Sequence, residues 1–482
     1  DVYRAAADAN RHEPVLRTHD RFGNRADIVE FHPAWHRLMD LSVSDGLHSL
    51  PFEKPPGEGA RVVRDAKFTL MAQIEQGHGC QISMTTSVVP ALGANTTLSA
   101  EWEPRILTRS YDPRFRPASD KTGVLLGMGM TEKQGGSDVR ANTTVADPIG
   151  DGAHRLTGHK WFTSAPMCDG FLVLAHAPGG LSCFLMPRFL PDGSKNDIRI
   201  VRLKDKLGNR SNASSEVEFD GTFAWLVGEE GRGVATIIEM VNHTRLDCVV
   251  GSVGIMRQAV SHAAWHVAHR EAFGSKLIDK PLMTNVIADL ELEVEAATLM
   301  MIRLSGAFDR AATDPAEEAF RRIATPVAKY WVTKRCSEVV REALECLGGN
   351  GYVEESVMPR LYRESPLNAI WEGSGNVIAL DVTRAIARSP ESLDAFVDDA
   401  VADADAIRHM VDTALGDEAG ARRLAETMAL GWASTALQRH APTEVSEAFT
   451  RSRLGGDHGS LYGTLPTDLP LRQIAARALP QT

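Results

Sequence analysis

The chain has 482 residues, more than one domain usually holds, and its 43% hydrophobic and 24% charged residues are ordinary for a soluble globular protein. A formal net charge of −11 argues against a nucleic-acid surface over the whole chain but leaves room for a local basic patch. Six cysteines without a C-x-x-C predict reduced thiols, and the lack of an apolar run of about 18 residues or a leader pattern predicts a cytoplasmic protein without a membrane span.

Asp1 is read as lying downstream of the translation start, since no Met opens the chain. Residues 1 to 126 mix helical patches with breaks at Pro51, Pro55-Pro56-Gly57 and Pro113, the clearest helix covering 61–76. Next, Gly127-Met128-Gly129-Met130-Thr131-Glu132-Lys133-Gln134-Gly135-Gly136-Ser137-Asp138 reads as a glycine-rich loop. Its glycines let backbone N–H groups approach an anion, and Thr131 and Ser137 add hydroxyls. It is no dinucleotide fingerprint, because position 132 is Glu, and no Walker A, because Gly-Lys-Ser/Thr is absent; a polar hairpin is the alternative.

From 127 to 231 strands are expected, among them Phe171-Leu172-Val173-Leu174, Leu181 to Met186 and Glu216 to Phe219. Gly158-His159-Lys160-Trp161-Phe162-Thr163-Ser164 adds aromatic faces and hydroxyls, which also suit a half-buried strand. After Gly231-Arg232-Gly233 the period turns helical, over 234–270, 283–308 and 326–347. His262, His266 and His269 share one helical face, yet no Glu or Cys pattern accompanies them and no metal site is assigned. Trp371-Glu372-Gly373-Ser374-Gly375-Asn376 then sets a carboxylate beside two glycines ahead of an apolar run. Such a Glu is either a first-turn acid or a group held against a flat cofactor, and two distant loops then suit one site.

These segments, in this order, resemble the acyl-CoA dehydrogenase family of flavoproteins, and within it the AidB branch of alkylation-response proteins. The resemblance rests on T-E-x-x-x-G-S-D at 131–138, G-x-K-x-F-x-S at 158–164, Arg270-x-x-Phe273-Gly274, Leu347-Gly348-Gly349-Asn350-Gly351-Tyr352 and the Trp-Glu-Gly. It runs over nearly the whole chain and implies an α+β protein of acyl-CoA dehydrogenase-like fold. The implied domains are an N-terminal helical domain at 1–126, a central β domain at 127–231, a helix bundle at 232–388 and an additional helical domain at 389–482.

The resemblance further implies FAD as cofactor, with Met130, Thr131, Gly136, Ser137, Phe162, Thr163, Ser164, Trp371, Gly373, Ser374 and Asn376 as its contacts. Arg270, Phe273, Gly348 and Gly349 would complete the FAD site of a neighbouring subunit, implying a homotetramer. Glu372 would be the base that takes the α-proton of an acyl-CoA, Arg245 would face the substrate, and a second flavoprotein would accept the electrons. Some relatives carry the base just before that arginine, where this chain has Thr244, which cannot serve. Trp371, Phe162 and Ser164 depart from the Tyr, Trp and Thr of most relatives, and the indole beside the base could narrow the acyl pocket.

Beyond 389 the chain is first acidic, then carries Arg422, Arg423, Arg439, Arg451, Arg453, Arg472 and Arg477 with no lysine. The branch resemblance implies double-stranded DNA as a partner, with the first five of these arginines as contacts. Glu426, Glu444, Glu447, Asp457 and Asp468 offset them, so a solvated helical face is the other reading.

Overall fold

The computed structural model describes residues 1–400 and 404–479. The chain divides into two compact units, one of residues 1–54 and 74–244, the other of 55–73 and 245–482.

In the first unit, α1 (Val2–Arg11) buries Ala5, Ala6 and Ala9 on one stripe. A hairpin follows that the helical reading of this region did not anticipate: β1 (Val15–His19) pairs antiparallel with β2 (Arg25–Glu30). The helix α2 (Pro33–Ser44) starts with proline at a position where its missing N–H costs nothing, and His32 accepts from Ala34 N. The helices α4 (Gly79–Leu92) and α5 (Thr96–Ile106) complete the helical part, Asn95 capping the latter through Leu98 N.

The sheet follows, built from β3 (Leu126–Gly129), β4 (Val145–Gly150), β5 (Ala153–Ser164), β6 (Gly170–Ala177), β7 (Gly180–Pro187), β8 (Ile198–Leu203) and β9 (Ser214–Val227). Its order is β3-β6-β4-β5-β9-β7, with β8 on β9, and β7 pairs back with β6 so that the ring of strands closes. Covered on both faces, β6 is a continuous apolar run, with Leu172 and Leu174 fully buried in the core.

One correction to the sequence reading falls here. Gly127-Met128-Gly129 is buried parallel strand rather than loop, its register running from Leu126↔Gly170 to Gly129↔Val173. A Cβ on Gly127 would lie 2.8 Å from the Phe171 ring, so glycine is needed there for close packing and not for anion approach.

The second unit is helical. It takes α3 (Ala60–Ile74) through residue 73, and α6 (Gly233–His269) from Arg245 onward. Arg61 and Arg64 of α3 are buried against Asp65 and Asp247 in a paired cluster, which is how four charges survive in an interior. The tip between β10 (Glu271–Ala272) and β11 (Ser275–Lys276) precedes α7 (Pro281–Arg310) and α8 (Pro315–Glu345). A helix was expected from 326; it begins eleven residues earlier, because Asp314 caps Ala316 N with Pro315 in the first position, and it passes through Pro326. Buried neighbours on both sides of Pro326 hold the helix across the lost hydrogen bond.

Three short helices or turns later, past α9 (Gly349–Tyr352) and α10 (Met358–Glu364), comes α11 (Gly375–Arg388). The remaining helices are α12 (Pro390–Ala400), α13 (Ala404–Gly416), α14 (Ala421–His440), α15 (Thr443–Phe449) and α16 (Leu471–Arg477). They dock on the bundle through Phe320 of α8, Phe396 of α12 and Trp432 of α14, whose rings meet at 5.5–5.8 Å. Among the described residues no helix is long and apolar enough to cross a membrane. All six cysteines are free, five of them buried.

Candidate active site

The candidate site residues fall into two sets, each described within its own unit. In the first, the chain leaves β3 at Gly129 and turns through Met130 to Asp138, and Trp161 N donates to Thr131 O at 2.8 Å, tying the turn to β5. Glu132 anchors the turn from within. Its Oε2 accepts from Thr143 N and Oγ1, and its Oε1 from Thr144 Oγ1 and from Lys160 Nζ at 2.7 Å, both Glu132 and Lys160 being fully buried. Burial disfavours the charge of Glu132, but Lys160 and the threonine donors hold its carboxyl at about 2. Lys160 Nζ also donates to Leu174 O. Reading position 132 only as a missing glycine passed over this pair; a lone acid and a lone lysine, each inside a short polar motif, were the available signal.

Above that anchor the turn is open. Thr131 is half-buried, while Gly136 and Ser137 are exposed. A Cβ on Gly136 would sit 2.5 Å from Thr131 Oγ1, so glycine leaves that hydroxyl its space. On β5, Phe162 is 52% exposed, an unusual position for a large ring on a central strand. Next to it Thr163 is buried, and its Oγ1 has no hydrogen-bond partner. Ser164 Oγ lies 3.4 Å from Ser214 Oγ, and Lys204 Nζ stands 3.6 Å from the Trp161 ring centroid. An exposed ring, an unsatisfied buried hydroxyl and a hydroxyl-bearing turn fit a flat, hydrogen-bonding heterocycle such as flavin.

In the second unit, Glu372 has φ +59, in the left-handed region that a non-glycine residue seldom occupies, and Gly373 follows at φ +105. Cations hold this turn by its carbonyls. Arg245 Nε donates to Glu372 O at 3.1 Å, and Lys329 Nζ donates to Gly373 O at 2.8 Å. Trp371 Nε1 bonds Asn368 Oδ1, and Ser374 occupies the N-cap position of α11. Asn376 Oδ1 accepts from Arg422 Nε at 2.7 Å, so a residue of the terminal region reaches the Trp-Glu-Gly motif. Buried beside Lys329 and Glu372, Cys248 has its thiol pushed up to about 12 by desolvation.

Arg245, expected to face the substrate, is bonded within the protein. Its side chain is 7% exposed and bridges Glu372 O to Asp381 Oδ2, with Arg322 on the other carboxylate oxygen. Burial raises the Asp381 carboxyl, but the two guanidiniums outweigh it and hold it below the usual range. Thr244 donates its hydroxyl to Val241 O. His262 Nε2 meets Gln258 Nε2, and His269 stacks on Trp265.

The residues expected to face a neighbouring subunit are all exposed. Phe273, at the tip of the β10–β11 hairpin, is 93% exposed with φ +53, and Arg270, Gly348 and Gly349 are exposed too. Of the five arginines assigned to DNA, Arg453 is the exception to exposure. Its side chain is 6% exposed and bonded to Asp289 and Glu293, because the segment after α15 folds back onto α7. Arg422, Arg423, Arg439 and Arg451 are exposed, although Arg451 is neutralised by Asp457 and Asp468 and Arg439 lies 3.6 Å from Asp399.

A closed β unit with a hydroxyl-bearing turn and an exposed ring, and a helical unit presenting a strained Glu-Gly turn, define a flavoprotein oxidoreductase. The chain belongs to the acyl-CoA dehydrogenase family, FAD-dependent enzymes that act on CH–CH bonds. Residues 127–222 match the acyl-CoA dehydrogenase middle domain, 231–387 its C-terminal domain, and 1–113 the Adaptive response protein AidB N-terminal domain. The chain is 50% identical over 379 residues to the "Putative acyl-CoA dehydrogenase AidB" of Escherichia coli (strain K12), which spans 78% of this chain and 70% of that protein. It is 33% identical over 411 residues to acyl-CoA dehydrogenase family member 11 of Caenorhabditis elegans, spanning 82% of this chain and 66% of that one. The crystal structure of Caenorhabditis elegans ACDH-11 in complex with C11-CoA superposes with a TM-score of 0.82, at 27% identity, over all of this chain and 86% of the other.

Proposed function

We propose that the protein dehydrogenates the α,β bond of a short or branched acyl-CoA, with Glu372 as the base. The observation that carries this reading is the Glu372–Gly373 turn, whose two carbonyls are gripped by Arg245 and Lys329 so that an energetically unfavourable backbone persists. Such a turn fixes the direction in which one carboxylate is presented. Met130, Thr131, Gly136, Ser137, Phe162, Thr163 and Ser164 of the β unit hold the cofactor. Bound FAD supplies a hydride acceptor. Glu372 takes the α-proton, and an N–H donor at the thioester oxygen stabilises the charge that develops there. The complex of the Caenorhabditis elegans relative with C11-CoA supports an acyl thioester as the ligand class.

The rest of the reading follows the family. The subunits form a homotetramer through a surface that includes exposed Phe273 and Tyr352, a second flavoprotein accepts the electrons, and the protein is cytoplasmic. The four domains are 1–126, 127–231, 232–388 and 389–482, in keeping with the matched segments. Anaerobic titration with butyryl-, isovaleryl-, octanoyl- and undecanoyl-CoA tests the activity through flavin bleaching. Bleaching by none of them would sink the dehydrogenase reading.

A second reading is that of an AidB-like protein that binds double-stranded DNA and protects or repairs it, with weak acyl-CoA turnover. The exposed Arg422 and Arg423, adjacent at the start of α14, favour it. Fluorescence anisotropy with a duplex at several salt concentrations tests it.

A further inference from the structure

Lys329 lies in the middle of α8 and is 1% exposed, between buried Val327 and Ala328 on one side and buried Tyr330, Trp331 and Val332 on the other. An ammonium in such surroundings has lost its hydration and requires hydrogen-bond acceptors. Lys329 Nζ donates to two backbone carbonyls, Asn368 O at 3.1 Å and Gly373 O at 2.8 Å. These oxygens bracket the turn that carries Glu372. Asn368 is itself fastened, its Nδ2 to Ser252 Oγ and its Oδ1 to the Trp371 indole. Arg245 holds the carbonyl between, that of Glu372.

Resting on the reading of Glu372 as base, we propose that Lys329 is the positioning residue of this site: its ammonium clamps the turn through Asn368 O and Gly373 O and keeps Glu372 in the left-handed conformation. The ionisable groups facing Lys329 are Cys248 and Arg245 from α6, Glu372 from the turn and Lys334 from α8 itself. Desolvation by burial opposes the lysine charge most and lowers its pKa, Arg245 and Lys334 oppose it too, and Cys248 and Glu372 favour it. Asp381 of α11 and Arg322 of α8 lie behind Arg245 and belong to the same electrostatic set. Removing the ammonium therefore takes away two donors and a positive charge close to Glu372, while Arg245 and its partners stay.

The test uses the full chain loaded with FAD and the variants Lys329→Met, Lys329→Arg and Glu372→Gln. Two quantities are read: the anaerobic bleaching rate against pH, with the fastest acyl-CoA of the panel above, and hydrogen–deuterium exchange of the segment 368–376. Lys329→Met is expected to bleach about 100-fold more slowly at saturating acyl-CoA, the scale set by misplacing a reacting group by about 1 Å. Its half-saturating concentration should change far less than its rate. The pH midpoint for the base should move upward, since a neighbouring cation no longer favours the carboxylate. Exchange at 371–374 should rise about tenfold or more, as expected for a turn freed to open locally.

Lys329→Arg keeps the charge with displaced donors, so it should bleach slowly at the wild-type pH midpoint. If Lys329→Met does not accumulate as folded protein, Lys329→Arg decides, and a shifted midpoint overturns the proposal. Wild-type rate, midpoint and exchange in Lys329→Met, alongside an inactive Glu372→Gln, would overturn the role of Lys329 and leave the base in place. Wild-type bleaching by Glu372→Gln would be the other failure, that of the base assignment itself.

Discussion

Lys160 Nζ lies 2.7 Å from Glu132 Oε1, with both side chains fully buried beneath the hydroxyl-bearing turn of the β unit. The pair sets the height of Thr131 and Ser137 over the strand that carries Phe162 and Thr163. Its stability has a defined pH signature. The Glu132 carboxyl titrates at about 2 in the folded chain against an ordinary value of 4.5. A depressed folded pKa gives stability that is complete above pH 4.5 and is lost as pH falls towards 2. Glu132→Gln is expected to cost about 3–5 kcal/mol at neutral pH by leaving a buried ammonium without its counter-charge. Urea melts of both proteins from pH 7 downward check this: the gap should narrow with acid, and a constant gap would count against it.

Glu372→Gln preserves shape and removes the base. It should keep FAD, its yellow colour and the wild-type melting temperature while losing acyl-CoA-dependent bleaching by at least 100-fold, within the usual scale for a positioned general base. Stopped-flow absorbance decides.

Gly127→Ala tests the reassignment of that glycine from loop to packed strand. The added Cβ would meet the Phe171 ring at 2.8 Å inside the core. Overpacking of this kind costs about 1–3 kcal/mol. Differential scanning calorimetry should show a lowered transition, and a neutral effect would mean that the ring moves aside freely.

Phe273 and Tyr352 are 93% and 81% exposed, which suits a surface buried against another subunit. Phe273→Asp should weaken assembly and, with it, FAD retention. Sedimentation velocity with simultaneous detection of flavin absorbance reads both; a flavin-loaded monomer of the wild-type chain would contradict the tetramer.

The four exposed arginines of the terminal region set an upper bound on salt dependence. If Arg422, Arg423, Arg439 and Arg451 each neutralise one phosphate, log K falls against log salt with a slope of about −3.6. Arg453→Ala should leave that slope unchanged and instead destabilise the fold, because Asp289 and Glu293 lose a buried partner. A chain ending near 388 that binds duplex equally well would assign the binding elsewhere.

What the sequence by itself determined was local and ordered. The hydroxyls at 131 and 137, the Glu-Gly turn at 372–373, the change from period two to helical period after 231 and the expectation of FAD all rest on residues close together in the chain, or on the order of such short segments. Tertiary structure decided what depends on partners far along it. Gly127 and Gly129 became strand because Phe171 and Val173 lie across from them. The helix at 315 continued through Pro326 because buried contacts outweigh one missing hydrogen bond. Arg453 left the surface for Asp289 and Glu293, more than 150 residues away, and Arg245 found the carbonyl of Glu372. A charged side chain is placed by the counter-charge or carbonyl that folding brings to it, and burial enforces that pairing at a cost no local pattern records.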